Sequence, residues 1–237
     1  MSSHAASHGH PSVLAHHFDT IEQQRSTMRL GMWMFLVTEA LFFGGAFCAY
    51  AANRVWYPRD FEAGSSQLNV FIAGINSLLL LTSSLTITLA IHAAQEGKKS
   101  KLFWLLTVTI LLAVSFLGMK AYEYYSDYEE ALVPGLRFDE SKFMPATLPS
   151  PDAPTINQIN PDRVKMFFMF YYIMTGLHVL HMIVGIGVMV WLWLKAYRGE
   201  IHEQKFLLIE ITSLYWHFVD LVWLFIVPAL YLAGIHH

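Results

Sequence analysis

Seven titratable side chains lie within or beside long apolar segments of this chain. They are Glu39, Lys120, Glu123, His178, His181, His217 and Asp220. An ionised side chain at the centre of a bilayer costs on the order of 3 kcal/mol or more, so such residues are rare there and mark proton relays, ion pathways or interhelical contacts. The chemistry that these residue types suggest is proton handling. The elements that hold them must therefore be membrane helices.

The composition predicts an integral membrane protein. Of 237 residues, 55% are hydrophobic and only 14% are charged, which is too apolar for an ordinary soluble domain. A spanning helix needs roughly 20 mostly apolar residues. Five stretches meet this requirement, at about 28–52, 69–92, 101–121, 166–194 and 207–234. We therefore predict an all-α bundle of five transmembrane helices.

Charge in the short connections predicts the orientation, because Lys and Arg concentrate on the cytoplasmic side. These residues precede the first helix or join helices 2–3 and 4–5: Arg25, Arg29, Lys98, Lys99, Lys101, Lys195, Arg198 and Lys205. We predict a cytoplasmic N-terminus, an exoplasmic C-terminus and an exoplasmic loop over 122–165. Residues 1–27 lack the apolar core of a cleavable signal. Their histidines have no metal-binding spacing and indicate a mobile cytoplasmic tail: His4, His8, His10, His16 and His17.

Glu39 lies in the middle of the first span. It follows Leu30 by nine residues, which places it roughly 13 Å into the apolar run and near the bilayer midplane. Gly44 and Gly45, one turn further on, remove side-chain bulk and predict close approach of a neighbouring helix. Two interpretations of Glu39 stay open: a neutral carboxyl that is only structural, or a group with a proton-linked or lipid-linked function.

The second and third spans carry polar residues for which packing is the simpler explanation. Asn76 and Ser83 share one face of their helix and predict hydrogen bonds to another helix. Lys120 and Glu123 are three residues apart, so they can form an ion pair. Their position at the end of the third span predicts a structural pair at the exoplasmic interface, within a belt of tyrosines.

The last two spans carry the remaining titratable groups. His178 and His181 are three residues apart, as are His217 and Asp220, which we expect to pair. Two histidines at that spacing cannot take opposite axial positions on one haem, and a histidine-only copper site needs more converging nitrogens. Cys48 is the single cysteine, so no cysteine-based metal site is expected. These groups predict interhelical hydrogen bonds, aided by close packing at Gly185.

Five segments of the chain resemble one family, subunit III of the haem-copper respiratory oxidases in its short five-helix bacterial form. The segments are LGMWMFLVTEALFFGGAFCAY at 30–50, NSLLLLTSSLT at 76–86, MKAYEY at 119–124, TGLHVLHMIVG at 175–185 and YWHFVDLVWLFIVP at 215–228. Shared hydrophobicity does not explain the similarity, because the polar residues match in place. The fourth and fifth segments together are highly specific.

The resemblance implies a subunit without a redox centre and without a metal site of its own. Such a subunit packs beside subunit I, binds phospholipid in a cleft between its helices and sustains proton uptake, while haem and copper belong to partner subunits. The family's buried glutamate corresponds to Glu39. Longer members begin with two extra helices that help form the cleft, so here the cleft would be open or completed by another subunit.

The resemblance also places the other titratable groups in the family's polar interior: Glu123, His178, His181, His217 and Asp220. Many members have Gln where this chain has Lys120. That difference leaves the electron donor open between cytochrome c and quinol.

Several alternatives remain at this stage. Within the family they are a quinol oxidase subunit and a relative associated with nitric oxide reductase; outside it they are an assembly factor and a proton-coupled transporter. Repeated halves and broken helices, typical of transporters, are not evident in the sequence. Expected partners are oxidase subunits I and II, small subunits and phospholipid in a bacterial inner membrane, with no nucleic acid. An acidic outer loop could attract cytochrome c or another respiratory complex: Glu129, Glu130, Asp139, Glu140 and Asp152.

Overall fold

The computed structural model describes residues 20–143, 159–198, 206–232 and 234. These residues form six α-helices: α1 (Ile21–Trp56), α2 (Pro58–Ser65), α3 (Val70–Gln95), α4 (Lys99–Glu129), α5 (Pro161–Tyr197) and α6 (Phe206–Leu230). A small antiparallel hairpin, β1 (Leu132–Val133) and β2 (Arg137–Phe138), and a 3-10 helix (Glu140–Phe143) follow α4. All helices except α2 are long and apolar enough to cross a membrane. This confirms the predicted five-helix, multi-pass membrane fold.

Helix starts follow from local capping residues. The Thr20 side chain accepts a hydrogen bond from the Gln23 amide at the start of α1, and Asn69 does the same for the first amides of α3. Asn160 caps α5, with Pro161 in the first turn, where the missing amide proton of proline is harmless. Side-chain oxygens at these positions satisfy amides that have no partner within the helix.

The observed helices differ from the predicted spans at several ends. The span α4 continues through Glu129, so the first residues of the predicted 122–165 loop are helical. The predicted span ends at about residue 121, where polar residues begin. The helix continues beyond this point because these polar side chains face the interior of the bundle. Helix α1 begins at Ile21, within the predicted tail, and α2 was not predicted. The tail histidines, Asp152, Lys205 and 144–158 lie outside the described residues.

Helices α3 to α6 form the core of the molecule. Helix α3 contacts α4 and α6, and α5 contacts the same two helices, so the four make a closed ring. Phe116, Trp216 and Trp223 are fully buried inside it. Leucine, valine and aromatic side chains cover the outside, as at Leu41 and Phe71, which suits a surface that faces lipid.

We name the two ends of the bundle by the chain termini. The N-end carries the start of α1, the α3–α4 turn and the end of α5. The C-end carries α2, the hairpin and the end of α6. The predicted cytoplasmic cations that the structure describes lie at or near the N-end. The described parts of the 122–165 connection lie at the C-end.

Helix α1 packs on the outside of this ring and touches it at three depths. Arg29 Nη2 lies 2.9 Å from Glu210 Oε1 of α6 near the N-end. Glu39 contacts α5 in the middle. Near the C-end, the Tyr50 hydroxyl donates to the carbonyl oxygen of Ala229, at 2.5 Å. Three polar contacts therefore hold a helix whose remaining surface is largely exposed.

Gly185 is required where α5 meets α6. A Cβ added there would lie 2.9 Å from Cζ3 of Trp216, closer than packed carbons approach. The Trp216 indole cannot easily retreat, because it is buried and its Nε1 donates to Ser83 Oγ at 3.0 Å. This contact agrees with the packing roles predicted for Gly185 and Ser83.

We expect Gly185→Ala to lower the free energy of unfolding by about 1–3 kcal/mol, because overpacking displaces the buried indole. Gly187→Ala is the matched control on the same helix, since no atom lies within 4 Å of its added Cβ. Alanine also favours helix over glycine, so this control should leave the Tm unchanged or raise it slightly. Thermal unfolding in detergent measures both, and equal Tm values for the two variants would contradict the packing assignment.

Candidate functional site

Glu39 of α1 forms a hydrogen bond with His181 of α5. Glu39 Oε2 lies 3.0 Å from His181 Nε2. The other ring nitrogen, Nδ1, lies 2.8 Å from the carbonyl oxygen of Leu177, one turn earlier in α5. A carbonyl oxygen only accepts hydrogen bonds, so Nδ1 must carry a proton and donate it. Because Nδ1 is bonded to Leu177, Nε2 is the nitrogen that faces Glu39. Nε2 then carries either a lone pair or a second ring proton.

One further proton lies between Glu39 and His181. If Nε2 carries it, an imidazolium ion faces a carboxylate; if the carboxyl carries it, a neutral acid donates to a neutral imidazole. Both arrangements have zero net charge. Such a pair avoids much of the cost of an isolated carboxylate within the membrane. The site can therefore hold one proton and move it between two atoms without changing its total charge.

The pair lies at the edge of the molecule. The Glu39 and His181 side chains are 21% and 15% exposed, and the ring of Phe43 covers His181 at 5.3 Å between ring centroids. The Tyr215 hydroxyl of α6 donates to the His181 carbonyl oxygen at 3.0 Å. The pair is consequently accessible to lipid or to a neighbouring subunit.

An apolar groove between α1, α5 and α6 lies on the N-end side of this pair. Its volume is about 320 Å³, within the range of small-ligand sites. Its walls include Phe35 of α1, Val188 of α5 and Ile211 of α6. Tyr215, which bonds to His181, also lines the groove. The groove suits a hydrocarbon chain that ends near the Glu39–His181 pair.

Lys120 and Glu123 of α4 form an ion pair inside the bundle, not at a water interface. Lys120 Nζ lies 3.1 Å from Glu123 Oε2, and the side chains are 1% and 4% exposed. Nζ also donates to the hydroxyls of Tyr171 and Tyr231, at 3.1 and 2.6 Å. An ammonium group has three protons, so Lys120 has a partner for each. The predicted pair is thus enclosed by α5 and the end of α6.

Asp127, one turn further along α4, completes this polar cluster. The Tyr172 hydroxyl donates to Asp127 Oδ2 at 3.2 Å, and the Tyr171 hydroxyl lies at the same distance. The Tyr231 hydroxyl donates to Glu123 Oε1 at 2.6 Å. We call this group the Lys120 cluster; its members are Lys120, Glu123, Asp127, Tyr171, Tyr172 and Tyr231. The cluster joins α4, α5 and the end of α6 near the C-end through charge-assisted hydrogen bonds.

His217 contacts hydroxyl groups and not Asp220, so the predicted pairing of these two residues is wrong. His217 Nδ1 lies 2.6 Å from Ser84 Oγ of α3. Nε2 lies 3.0 Å from Ser213 Oγ and 3.3 Å from Thr88 Oγ1. The spacing of three residues places His217 and Asp220 on neighbouring faces of α6, but both His217 nitrogens are occupied by serine and threonine.

Three buried polar side chains in the described part of the bundle have no hydrogen bond of normal geometry. They are Asn76 of α3, His178 of α5 and Asp220 of α6. The His178 ring lies against Phe116 and Trp223, whereas His181 faces α1. The two histidines of α5 therefore belong to different sites despite their spacing.

Gly44 and Gly45 do not mediate close packing within the described chain. No atom lies within 4 Å of a Cβ added at either position. No other helix of the described chain therefore makes a close contact at these two glycines, and their predicted role in helix packing stays a prediction. Gly64 of α2 was missed instead: its Cβ would overlap the Phe167 ring of α5.

Tyrosines are the functional groups that the sequence analysis missed. Tyr171, Tyr172 and Tyr231 provide hydroxyls to the Lys120 cluster, although tyrosine near a span end normally indicates an interfacial belt. Tyr122 and Tyr125 do point outward. One signal in the sequence could have indicated these tyrosines. A buried ammonium group needs three hydrogen-bond acceptors, and Glu123 alone cannot supply them.

Among the described residues, no group of three or more His, Cys, Asp or Glu side chains is arranged to hold a metal ion. In the C-end connection the acidic residues are partly paired. Lys165 Nζ lies 3.9 Å from Glu140 Oε1. The hydroxyl and amide of Ser141 donate to Asp139 Oδ1 and hold the pKa of that carboxyl below its usual value.

The sequence profile of the family described as "Cytochrome c oxidase subunit III" matches residues 11–130 and 163–235. The chain belongs to the cytochrome c oxidase subunit III family. This confirms the resemblance found in the five sequence segments, and the match includes both sides of the Glu39–His181 pair.

Individual members of the subunit III family are similar over most of the chain. A probable cytochrome c oxidase subunit 3 of Rickettsia bellii (strain RML369-C) is 30% identical over 228 residues, which are 90% of this chain and 71% of the relative. The cytochrome c oxidase subunit 3 of Thermostichus vulcanus is 29% identical over 207 residues, 86% of each chain. That of Arabidopsis thaliana is 26% identical over 216 residues, 87% of this chain and 69% of the relative.

The Glu39–His181 bond predicts different effects of two substitutions. Glu39→Gln keeps a neutral amide that can donate to His181 Nε2, so the Tm should stay close to that of the native protein. Glu39→Ala leaves Nε2 without its partner and should lower the free energy of unfolding by about 1–3 kcal/mol. Thr38→Ala is the control, because its hydroxyl bonds only to its own helix at Phe35. Equal Tm values for the Gln and Ala variants would contradict the bond.

The Lys120 cluster predicts non-additive effects in a double-mutant cycle. Lys120→Met leaves Glu123 buried without a counter-ion, so it should lower the free energy of unfolding by about 3–5 kcal/mol. Adding Glu123→Gln to the same chain should restore part of that loss. Lys98→Met, which breaks the exposed contact with Glu96, should leave the Tm unchanged. Strict additivity of the two buried substitutions would rule out the coupling.

Proposed function

We propose that this chain is the non-catalytic subunit III of a proton-pumping cytochrome c oxidase, which reduces oxygen to water in a bacterial inner membrane. Subunit I would be its direct partner, with subunit II and small subunits in the same complex. The family membership supports this role. The three relatives are cytochrome c oxidase subunits by name, which favours cytochrome c over quinol as electron donor.

The observation that carries the proposal is the Glu39–His181 pair, which lies near an apolar groove. The pair shares one proton at zero net charge and is partly exposed at the edge of α1 and α5. A proton held in this way stabilises a titratable group at membrane depth without a fixed charge. We assign the pair a role in sustaining proton uptake by the neighbouring catalytic subunit.

Phospholipid is the ligand that the groove suits. Its walls are almost entirely apolar, so an acyl chain could enter between α1 and the four-helix ring. Arg29 lies one turn before Met32, which lines the groove, and its guanidinium is half exposed. That guanidinium could contact a lipid phosphate at the N-end, because arginine matches phosphate geometry. Glu210 beside it would hold the arginine in place.

We assign haem and copper to the partner subunits. The described residues support that division, since no three His, Cys, Asp or Glu side chains among them are arranged to hold a metal ion, and His181 and His217 are bonded to Glu39 and to hydroxyls. Haem needs axial ligands on opposite faces, and copper needs several converging nitrogens or sulfurs. The chain's contribution would be lipid binding, packing and proton retention.

The orientation that we propose has the N-terminus and the N-end in the cytoplasm. Arg29, Lys98 and Lys195 are examples of the cations gathered there. The C-end, with α2, the hairpin and the C-terminus, would face the exoplasm.

The proposed function predicts a specific loss when the chain is removed. The purified oxidase without this chain should keep most of its initial rate of oxygen reduction but stop after fewer turnovers, because proton uptake is no longer sustained. The measurement is oxygen consumption followed to completion, with haem spectra as a check of the catalytic subunit. Immediate and complete loss of activity with intact haem would overturn an accessory role.

The groove can be tested in the same assay with one matched pair of substitutions. Val188→Trp places an indole in the groove, while Val190→Trp changes a valine of equal exposure on the same helix that does not line it. Only Val188→Trp should lose bound phospholipid in native mass spectrometry and shorten activity. Full lipid retention by Val188→Trp would exclude this groove as the lipid site.

A further inference from the structure

The interior of the four-helix ring contains polar groups that no residue of the described chain satisfies. Asn76 and His178 are fully buried and Asp220 is 4% exposed, and no polar atom of these side chains has a hydrogen-bond partner. The Ser84 hydroxyl, which lies 2.6 Å from His217 Nδ1, is also beside Asp220, but a hydroxyl has a single proton and can satisfy at most one of the two carboxyl oxygens. Burying such groups without partners is costly.

These three side chains are grouped around Trp223. The His178 ring centroid lies 5.0 Å from that of Trp223. Trp223 Nε1 donates to Ser77 Oγ at 3.2 Å, and Asn76 immediately precedes Ser77. Asp220 lies one turn before Trp223 on α6, on adjoining positions of the helix surface. Three helices of the ring therefore contribute unsatisfied polar groups to the same part of its interior.

The position of these groups restricts what could bind there. They are buried by this chain's own helices, so a lipid headgroup or a side chain of another subunit cannot reach them without opening the ring. Together they offer amide, imidazole and carboxyl groups, a set that includes both donors and acceptors. A ligand must therefore be very small and must both donate and accept hydrogen bonds.

We propose that ordered water molecules bind inside the α3–α6 ring, between Asn76, His178 and Asp220. Buried water typically makes two to four hydrogen bonds to polar groups that would otherwise be unsatisfied. This internal hydration site is separate from the Glu39–His181 pair, because His178 and His181 face different helices. It does not depend on the proposed function.

The hydration site is closed at both ends by satisfied groups. Toward the C-end, all three protons of Lys120 Nζ have partners. Toward the N-end, both nitrogens of His217 are occupied by hydroxyls. The site therefore lies between two groups that already have hydrogen-bond partners.

X-ray radiolytic labelling of the intact purified oxidase complex tests this site, because hydroxyl radicals formed from bound water modify side chains beside that water. Labelling rates are normalised to those of the unfolded chain. His178 and Trp223 should be modified several-fold faster than Met189, an equally buried residue of α5 among apolar neighbours. Rates for His178 and Trp223 as slow as that of Met189 would overturn the proposal.

Substitutions assign the labelling to the three polar groups. Asn76→Leu and Asp220→Leu should each slow the modification of Trp223, since each removes part of the water's hydrogen bonding. Thr212→Val is the control, because the Thr212 hydroxyl donates to its own helix at Leu208. If either leucine variant fails to assemble, the comparison with Met189 in the native complex still decides. Unchanged Trp223 rates in both assembled leucine variants would also overturn the proposal.

Discussion

Hydrocarbon cannot accept or donate a hydrogen bond, and this constraint determines how the helices of this protein are arranged. A polar side chain in a span must therefore find its partner in its own helix, on another helix or in bound water. The Lys120 cluster holds α4 to α5 and to the end of α6 in this way. Trp216 and Trp223 hold α6 to α3 through serine hydroxyls. Apolar packing fills the space between these contacts but would permit several alternative registers.

The polar groups fall into two classes with different consequences. The Lys120 cluster is enclosed and fully satisfied, so it contributes stability and a unique helix arrangement. The Glu39–His181 pair lies at the edge of the chain beside an apolar groove, where it remains within reach of lipid or a neighbouring subunit. The enclosed Lys120 cluster thus has a structural role, and the partly exposed Glu39–His181 pair is the group to which we assign a function. The residue types alone, carboxylates with a histidine or a lysine, do not distinguish them.

The fold could be predicted from sequence because apolar length determines a membrane span, and Glu39 could be singled out because an acid is costly there. The partners could not be predicted. Spacing along one helix shows which residues share a face, but not which neighbouring helix that face meets. His217 therefore contacts Ser84 and not Asp220. The polar residues around Lys120 set the predicted end of the third span at about residue 121. In the structure, contacts with tyrosines of other helices allow α4 to continue beyond it.

Helix α1 touches the four-helix ring at Arg29, Glu39 and Tyr50, three positions spread along its length. Sliding α1 by one helical turn, about 5.4 Å, would break all three contacts at once. The three contacts therefore fix the position of α1 along its axis, and they keep the Glu39 carboxyl at the height of His181.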